Sequence, residues 1–228
     1  MAKTLTTLLQ EVRNLLGDLT PTYTFSDAQL TDFINQAIRD LSQHFPRQVE
    51  YTLSTTAGVH TYDLEITHTA ILSCEYPAGA EPPQYLTRRA FTHKDFWLFD
   101  DTYDFIKPAD SDSLNPPQLV ISASPAASET ITLWLNAEHE ELSAGADVCT
   151  VLERYLHLIG LFARWKCWQE LSTTEGMNPS PLTTLAFTVE INAARAEKSY
   201  RNALQSSQQA ENESGQIGWK MDRFDGGY

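Results

Sequence analysis

At 228 residues and 42% hydrophobic content, the chain has enough apolar side chain for one large core or two small ones, which excludes a disulfide- or metal-stapled mini-domain. Its 30 acidic against 16 basic residues, a formal charge of −14, exclude tight binding to a nucleic-acid backbone, because phosphate contacts need clustered Lys and Arg. Cys74, Cys149 and Cys167 make an odd set with no metal-ligand spacing, so reduced thiols packed in a core are expected rather than a disulfide framework.

The opening Met-Ala-Lys-Thr-Leu lacks the apolar stretch and cleavage site of a secretory signal, and synthesis in the cytoplasm is expected. Leu5, Leu8, Leu9, Val12, Leu15 and Leu16 recur at helical spacing, and Gly17 and Pro21 end that helix. Ser26 and Gln29 form a capping box for a second helix. Its apolar face runs through Leu30, Phe33, Ile34, Ala37, Ile38, Leu41 and Phe45 to Pro46.

The period then drops to two. Val49, Tyr51 and Leu53 alternate with polar neighbours, Ala57-Gly58 supplies a turn, and residues 59–64 return as the second strand of a hairpin. Residues 70–76 read as a strand and 77–83 as a turn. Residues 90–99, with Phe91, Phe96, Trp97 and Phe99, hold one or two helical turns ahead of an acidic loop at 100–104. Residues 119–122 and 130–136 read as a strand pair around Ser124-Pro125.

Helix returns at 148–171, the most apolar run of the chain, with Val148, Val151, Leu152, Tyr155, Leu158, Ile159, Phe162 and Trp165 on one face. Leu156, Leu161, Cys167, Trp168 and Leu171 widen that face, as in a helix contacted on two sides. Glu153, Arg154, His157, Arg164 and Lys166 would each cost roughly 2.5 to 3.5 kcal/mol in a bilayer centre, so it is not a membrane span. Residues 172–181 break the chain. Leu182, Leu185, Val189, Ala193, Ala196, Tyr200, Ala203 and Ser207 then mark a long helix expected to lie antiparallel to the one before it.

From Gln205 the composition is polar, with too little apolar surface to fold alone. The chain nevertheless ends with Trp219, Lys220, Met221, Arg223, Phe224 and Tyr228. Aromatic, Met and Arg residues are what interface cores favour, so these six are expected to dock on another chain, folding back on their own subunit being the alternative. The expected architecture is α+β: an antiparallel helical bundle of two N-terminal and two long C-terminal helices, with a β-rich insertion and an extended C-terminal tail. Its segments are 1–46 (bundle), 47–146 (insertion), 147–209 (bundle) and 210–228 (tail).

No chemistry stands out. His44, His60, His68, His93, His139 and His157 do not pair at metal-ligand spacing. His157 reads as a hydrogen-bonded core or interface imidazole. The carboxylates of Glu138, Glu140 and Glu141, and of Asp100, Asp101 and Asp104, read as solvated loop charges. Nucleotide-binding glycine loops and the serine-nucleophile motif are absent from the sequence. The reading is therefore no enzyme and no catalytic residue, metal or cofactor, with His93, Asp95, Asp100 and Asp101 as the site of a rival enzyme or metal- or ligand-binding function.

The order of parts resembles the head-to-tail adaptor (connector) proteins of tailed bacteriophages. The likeness lies in the opening helix leading into Tyr23, Ser26-Asp27, Leu30, Asn35 and Ala37, and in the Gly58…Tyr62-Asp63-Leu64 hairpin. The strand ending Leu133-Trp-Leu-Asn-Ala-Glu-His139 and the long helix from Val148 complete it. The resemblance implies a structural virion protein, forming a dodecameric ring beneath the portal that extends the DNA channel and offers a platform for tail or nozzle proteins. It implies a C-terminal segment reaching into the portal, genomic DNA passing without sequence-specific binding, and no membrane. Another phage neck or tail component is the nearest alternative.

Overall fold

The computed structural model describes residues 3–19, 24–65, 68–106, 116–126, 128–177 and 183–221. The chain divides into two compact units, Met1–Phe45 with His139–Tyr228, and Pro46–Glu138. The fold is mixed α+β, and each unit has its own core.

Among the described residues the first unit holds four α-helices: α1 (Leu5–Leu16), α2 (Asp27–His44), α3 (Leu156–Met177) and α4 (Thr183–Met221). Helix α1 begins on Thr4, whose side chain accepts from the Thr7 N–H, and ends on Gly17 at φ 73°. That left-handed conformation costs glycine nothing, and it lets the Gly17 and Asp18 N–H groups close onto the Asn14 and Arg13 carbonyls. Ser26 and Gln29 form the reciprocal capping box of α2. Leu8, Leu30, Ile34, Leu41, Leu158 and Ile159 are almost wholly buried in a single core, each contributing about 1.5–3 kcal/mol of transfer free energy.

Helices α3 and α4 run antiparallel: Phe162 and Trp165 lie against Tyr200, while Arg154, just ahead of α3, reaches Glu211. Helix α4 continues to Met221, which corrects the extended tail expected from 210 as far as 221. No proline interrupts the chain between Gln209 and Met221, so the helix is not broken there, although Asn212, Ser214, Gly215 and Gly218 do not favour it. The rest of that expected tail lies outside the described residues.

The start of the central helix is also corrected. Residues 148–152 are not helical: Val148 bridges Thr4, the Cys149 N–H donates to the Lys3 carbonyl, and a 3-10 turn over Glu153–Tyr155 precedes α3. Cys149 and Val151 are buried, but Val148 and Leu152 are 52% and 55% exposed. Val148 and Leu152 of that apolar stripe therefore face solvent and their helical spacing is coincidental, whereas Tyr155, Leu158, Ile159 and Phe162 are buried as the stripe predicts.

The second unit is built from β1 (Arg47–Ser54), β2 (Thr61–Asp63), β3 (His68–Glu75), β4 (Thr87–Arg88), β5 (Thr102–Ile106), β6 (Gln118–Ile121) and β7 (Thr130–Ala137). They form two sheets ordered β1-β7-β3 and β2-β6-β5-β4, antiparallel except for β4 beside β5. The hairpin expected over 49–64 is not formed, because β1 takes β7 as partner along all eight residues, from Arg47 opposite Ala137 to Ser54 opposite Thr130. Gly58 does turn the chain at φ 71°, but the turn delivers β2 to the other sheet, against β6. The expected pairing of 119–122 with 130–136 fails for the same reason. Each of those strands finds longer or flanking partners elsewhere. The acidic loop expected at 100–104 turns into strand β5 from Thr102 onward.

Inward-facing Leu119, Ile121, Ile131, Leu133 and Leu135 from both sheets meet in one buried cluster with Cys74. The Tyr62-Asp63-Leu64 segment is structural here. Tyr62 Oη donates to the Val59 carbonyl at 2.7 Å, Asp63 accepts from Gln118 Nε2 at 2.8 Å, and Leu64 is buried with its N–H on the Pro117 carbonyl.

Candidate functional site

His93 and Asp95 are neighbours, with Nδ1 3.6 Å from a carboxylate oxygen, and the Asp95 N–H donates to the same nitrogen. Asp100 and Asp101 instead border a shallow cavity of about 320 Å³ with Tyr76, Gln84, Tyr85 and Ser124. Neither His93 nor Asp95 lines it. Asp104 is spent on structure: it accepts from the Phe91 N–H at 2.9 Å and faces Arg88 at 3.8 Å. Among the described residues no group of three or more His, Cys, Asp or Glu side chains is placed to hold a metal ion. The four residues of the rival enzyme reading are thus not brought into one pocket.

The three thiols are buried and unpaired with one another. Burial pushes Cys74 and Cys167 up to about 12 and raises Cys149 as well, which keeps all three as thiols rather than nucleophilic thiolates. His139, expected in a solvated run, is buried and satisfied. Its backbone N–H donates to Ser42 Oγ at 3.0 Å, the ring Nε2 donates to the Phe45 carbonyl at 2.9 Å, and the ring Nδ1 lies 3.1 Å from the Thr150 hydroxyl. Glu141 in the same run pairs with Arg39 at 2.6 Å. His157 is exposed, on the rim of a groove of about 430 Å³ that α1 and α3 form around Leu15, Gly160 and Leu161.

What the surface offers is apolar contact area. In the β unit, Phe91, Trp97, Leu98 and Phe99 are exposed around the 3-10 turn Phe96–Leu98. The turn is held rigidly: Phe96 is wholly buried, the Thr102 hydroxyl donates to its carbonyl at 2.9 Å, and the Arg89 guanidinium sits 4.8 Å from the Phe99 ring centre. Large apolar side chains presented on a fixed loop are what protein–protein contacts use.

Of the six C-terminal residues singled out, Trp219, Lys220 and Met221 belong to the last turn of α4. Arg223, Phe224 and Tyr228 lie outside the described residues. Two polar residues that organise the helical unit carry no sequence signal for that role. Arg13, beside the apolar face of α1, is buried against Asp18 at 3.0 Å, Asp27 at 2.6 Å and the Phe25 carbonyl at 3.1 Å. Asn35 exchanges two 2.9 Å hydrogen bonds with the backbone of Leu142. A polar residue inside a helix with no charge partner at helical spacing is the only hint that such a bond exists.

No helix among the described residues is long and apolar enough to cross a membrane. A family model described as SU10 adaptor protein matches residues 3–219. No curated protein matches the chain.

Proposed function

The chain belongs to the SU10 adaptor protein family, a phage head-to-tail adaptor family, and from that premise we propose that it forms a ring beneath the portal. As a virion component of a structural family, it assembles with other virion proteins. In this reading twelve copies prolong the DNA channel and offer a platform to tail or nozzle proteins. The observation that carries it is the family match from Lys3 to Trp219, which takes in both units.

Two further features support it. A charge of −14 repels a passing duplex, so DNA moves along such a wall without sticking. The rigid aromatic loop at 91–99 supplies apolar contact area of the kind a ring or a tail-side partner covers. The portal contact is assigned to Trp219, Lys220, Met221, Arg223, Phe224 and Tyr228. All but Trp219 lie beyond the matched residues, so their role rests on position and side-chain chemistry.

The test is electron-microscopic class averages of the purified chain, alone and mixed with the portal ring of the same phage. Rings stacked coaxially on the portal are expected. A chain that stays monomeric and ignores the portal would overturn the reading.

A further inference from the structure

Between residues 88 and 99 of the β unit the charge balance of the chain reverses. Arg88, Arg89 and Lys94 stand there against the single carboxylate of Asp95, in a protein with 30 acidic and 16 basic residues. Lys94 is exposed. The Arg88 side chain is 59% exposed and its nearest carboxylate, Asp104, is 3.8 Å away, too far for a hydrogen bond. The same segment presents Phe91, Trp97, Leu98 and Phe99 to solvent, an apolar area on the order of 400 Å².

Beyond Phe99 the sign changes. Asp100 and Asp101 are both exposed and border the cavity of about 320 Å³ that Tyr85 and Gln84 also line. Among the described residues neither carboxylate is paired with a cation. Tyr85 beside them is 58% exposed. Two carboxylates next to an aromatic wall suit an Arg or Lys side chain, the head on the carboxylates and the apolar stem along the ring. The two halves of this surface adjoin. Strand β4 lies beside β5, Thr87 opposite Thr102, and the Thr87 N–H donates to the Asp101 carbonyl at 2.6 Å. The cationic loop thus leaves, and the carboxylates enter, the same sheet edge.

We propose that the loop 88–99 of one copy docks on the Asp100–Asp101 cavity of a second copy. Arg88 and Lys94 meet the two carboxylates, and Trp97 and Leu98 pack against Tyr85. A second copy is the occupant because the chain itself supplies both complementary halves, cations and carboxylates alike, which is the condition for a contact that repeats from copy to copy. The area agrees: a stable interface takes about 800 Å² from each partner, of which the apolar loop supplies roughly half and the flanking polar groups the rest. That copies meet at all rests on the ring reading given above; where they meet rests on the loop and the cavity.

The test is a reciprocal charge exchange in the full-length chain, read by sedimentation velocity and electron-microscopic class averages. One variant combines Arg88→Gln with Lys94→Glu, the Gln leaving a donor near Asp104. The other combines Asp100→Lys with Asp101→Lys. All four side chains are exposed, so both variants should melt as wild type does. Each variant alone sets like charges against each other and is expected to assemble only at concentrations at least about tenfold above wild type. An equimolar mixture of the two is expected to assemble as wild type does, because each supplies the charge the other has lost; a local folding defect would not be rescued in this way. Wild-type assembly matched by either variant alone overturns the contact and leaves the ring reading standing. Loss of assembly that mixing does not restore overturns the contact as well. A wild-type chain that stays monomeric overturns the ring reading and the contact together.

Discussion

Tyr200 of α4 donates its phenolic proton to the carboxylate of Asp40 in α2, while its ring packs edge-on to Phe162 and parallel to Trp165 of α3. One side chain thus joins three helices, by an apolar contact on its ring and a charge-assisted bond at its tip. Burial first, and the Asp40 bond second, hold the phenol well above its ordinary value of 10.0. The folded chain therefore keeps the Tyr200 proton more tightly than the unfolded chain does. The stability this confers is complete below about pH 10, the unfolded value, and drains away as the pH rises beyond it.

Tyr200→Phe keeps the ring and removes the bond. Asp40 is half-buried and can be rehydrated, so the cost at neutral pH is about 1 kcal/mol. Thermal melts from pH 7 to pH 11 should show a shallower alkaline loss in the variant. Some slope remains, because Tyr76 is also raised, to about 12, by burial and by its bond to Glu129. Parallel pH profiles for the two proteins would contradict the assignment.

Arg13 carries a larger penalty. Its side chain is 6% exposed and that of its partner Asp18 is 8% exposed, so Arg13→Ala leaves a carboxylate buried without its cation. Such a break costs about 3 kcal/mol or more, whereas the pair to Asp27, whose side chain is 72% exposed, adds little. Urea titration should place the midpoint of Arg13→Ala far below wild type, and that of Asp27→Ala within about 1 kcal/mol of it. Two equal losses would show that Asp18 is not the partner that matters.

The elements of this fold are largely written locally, and their partners are not. Ser26 and Gln29 announce the start of α2 and Gly17 the end of α1, because a cap is satisfied within three or four residues. Strand β1 is equally legible from Val49, Tyr51 and Leu53, yet its partner Thr130–Ala137 lies far along the chain and no local signal points to it. The Ala57-Gly58 turn reads as a hairpin because sequence shows that a chain turns, not which sheet it turns into. Val148 and Leu152 sit at helical spacing and face solvent. Periodicity cannot separate them from Cys149 and Val151, which enter the core from a loop. The roles of Arg13, Asn35 and His139 depend on partners from elsewhere in the chain, so no motif marks them. The candidate contact residues at the C-terminus are legible only as composition.

The thiols give a clean probe of global unfolding. Cys74, Cys149 and Cys167 are buried and their thiolates are disfavoured by burial. A disulfide reagent at pH 8 should leave all three unmodified in the native chain and titrate three equivalents in guanidinium. The labelling rate in dilute denaturant should follow the unfolding equilibrium. Prompt modification of any one thiol in native buffer would place it at a local opening.

Removal of the C-terminal residues separates folding from assembly. A chain ending at Gly218 keeps Tyr200 on Asp40 and Glu211 on Arg154, so its melting temperature should match wild type within about 2 °C, a shift that corresponds to about 0.5–1 kcal/mol. It loses Trp219, Met221, Phe224 and Tyr228 together with Lys220 and Arg223, the large apolar and cationic groups assigned to the portal. Interface energy concentrates in a few such side chains, so their joint loss should weaken portal binding at least a hundredfold in a sedimentation or interferometry assay. Normal melting with normal portal binding would move the portal contact off these residues and onto the exposed aromatic loop around Trp97. A lowered melting temperature would instead show that the last turn of α4 packs on its own subunit.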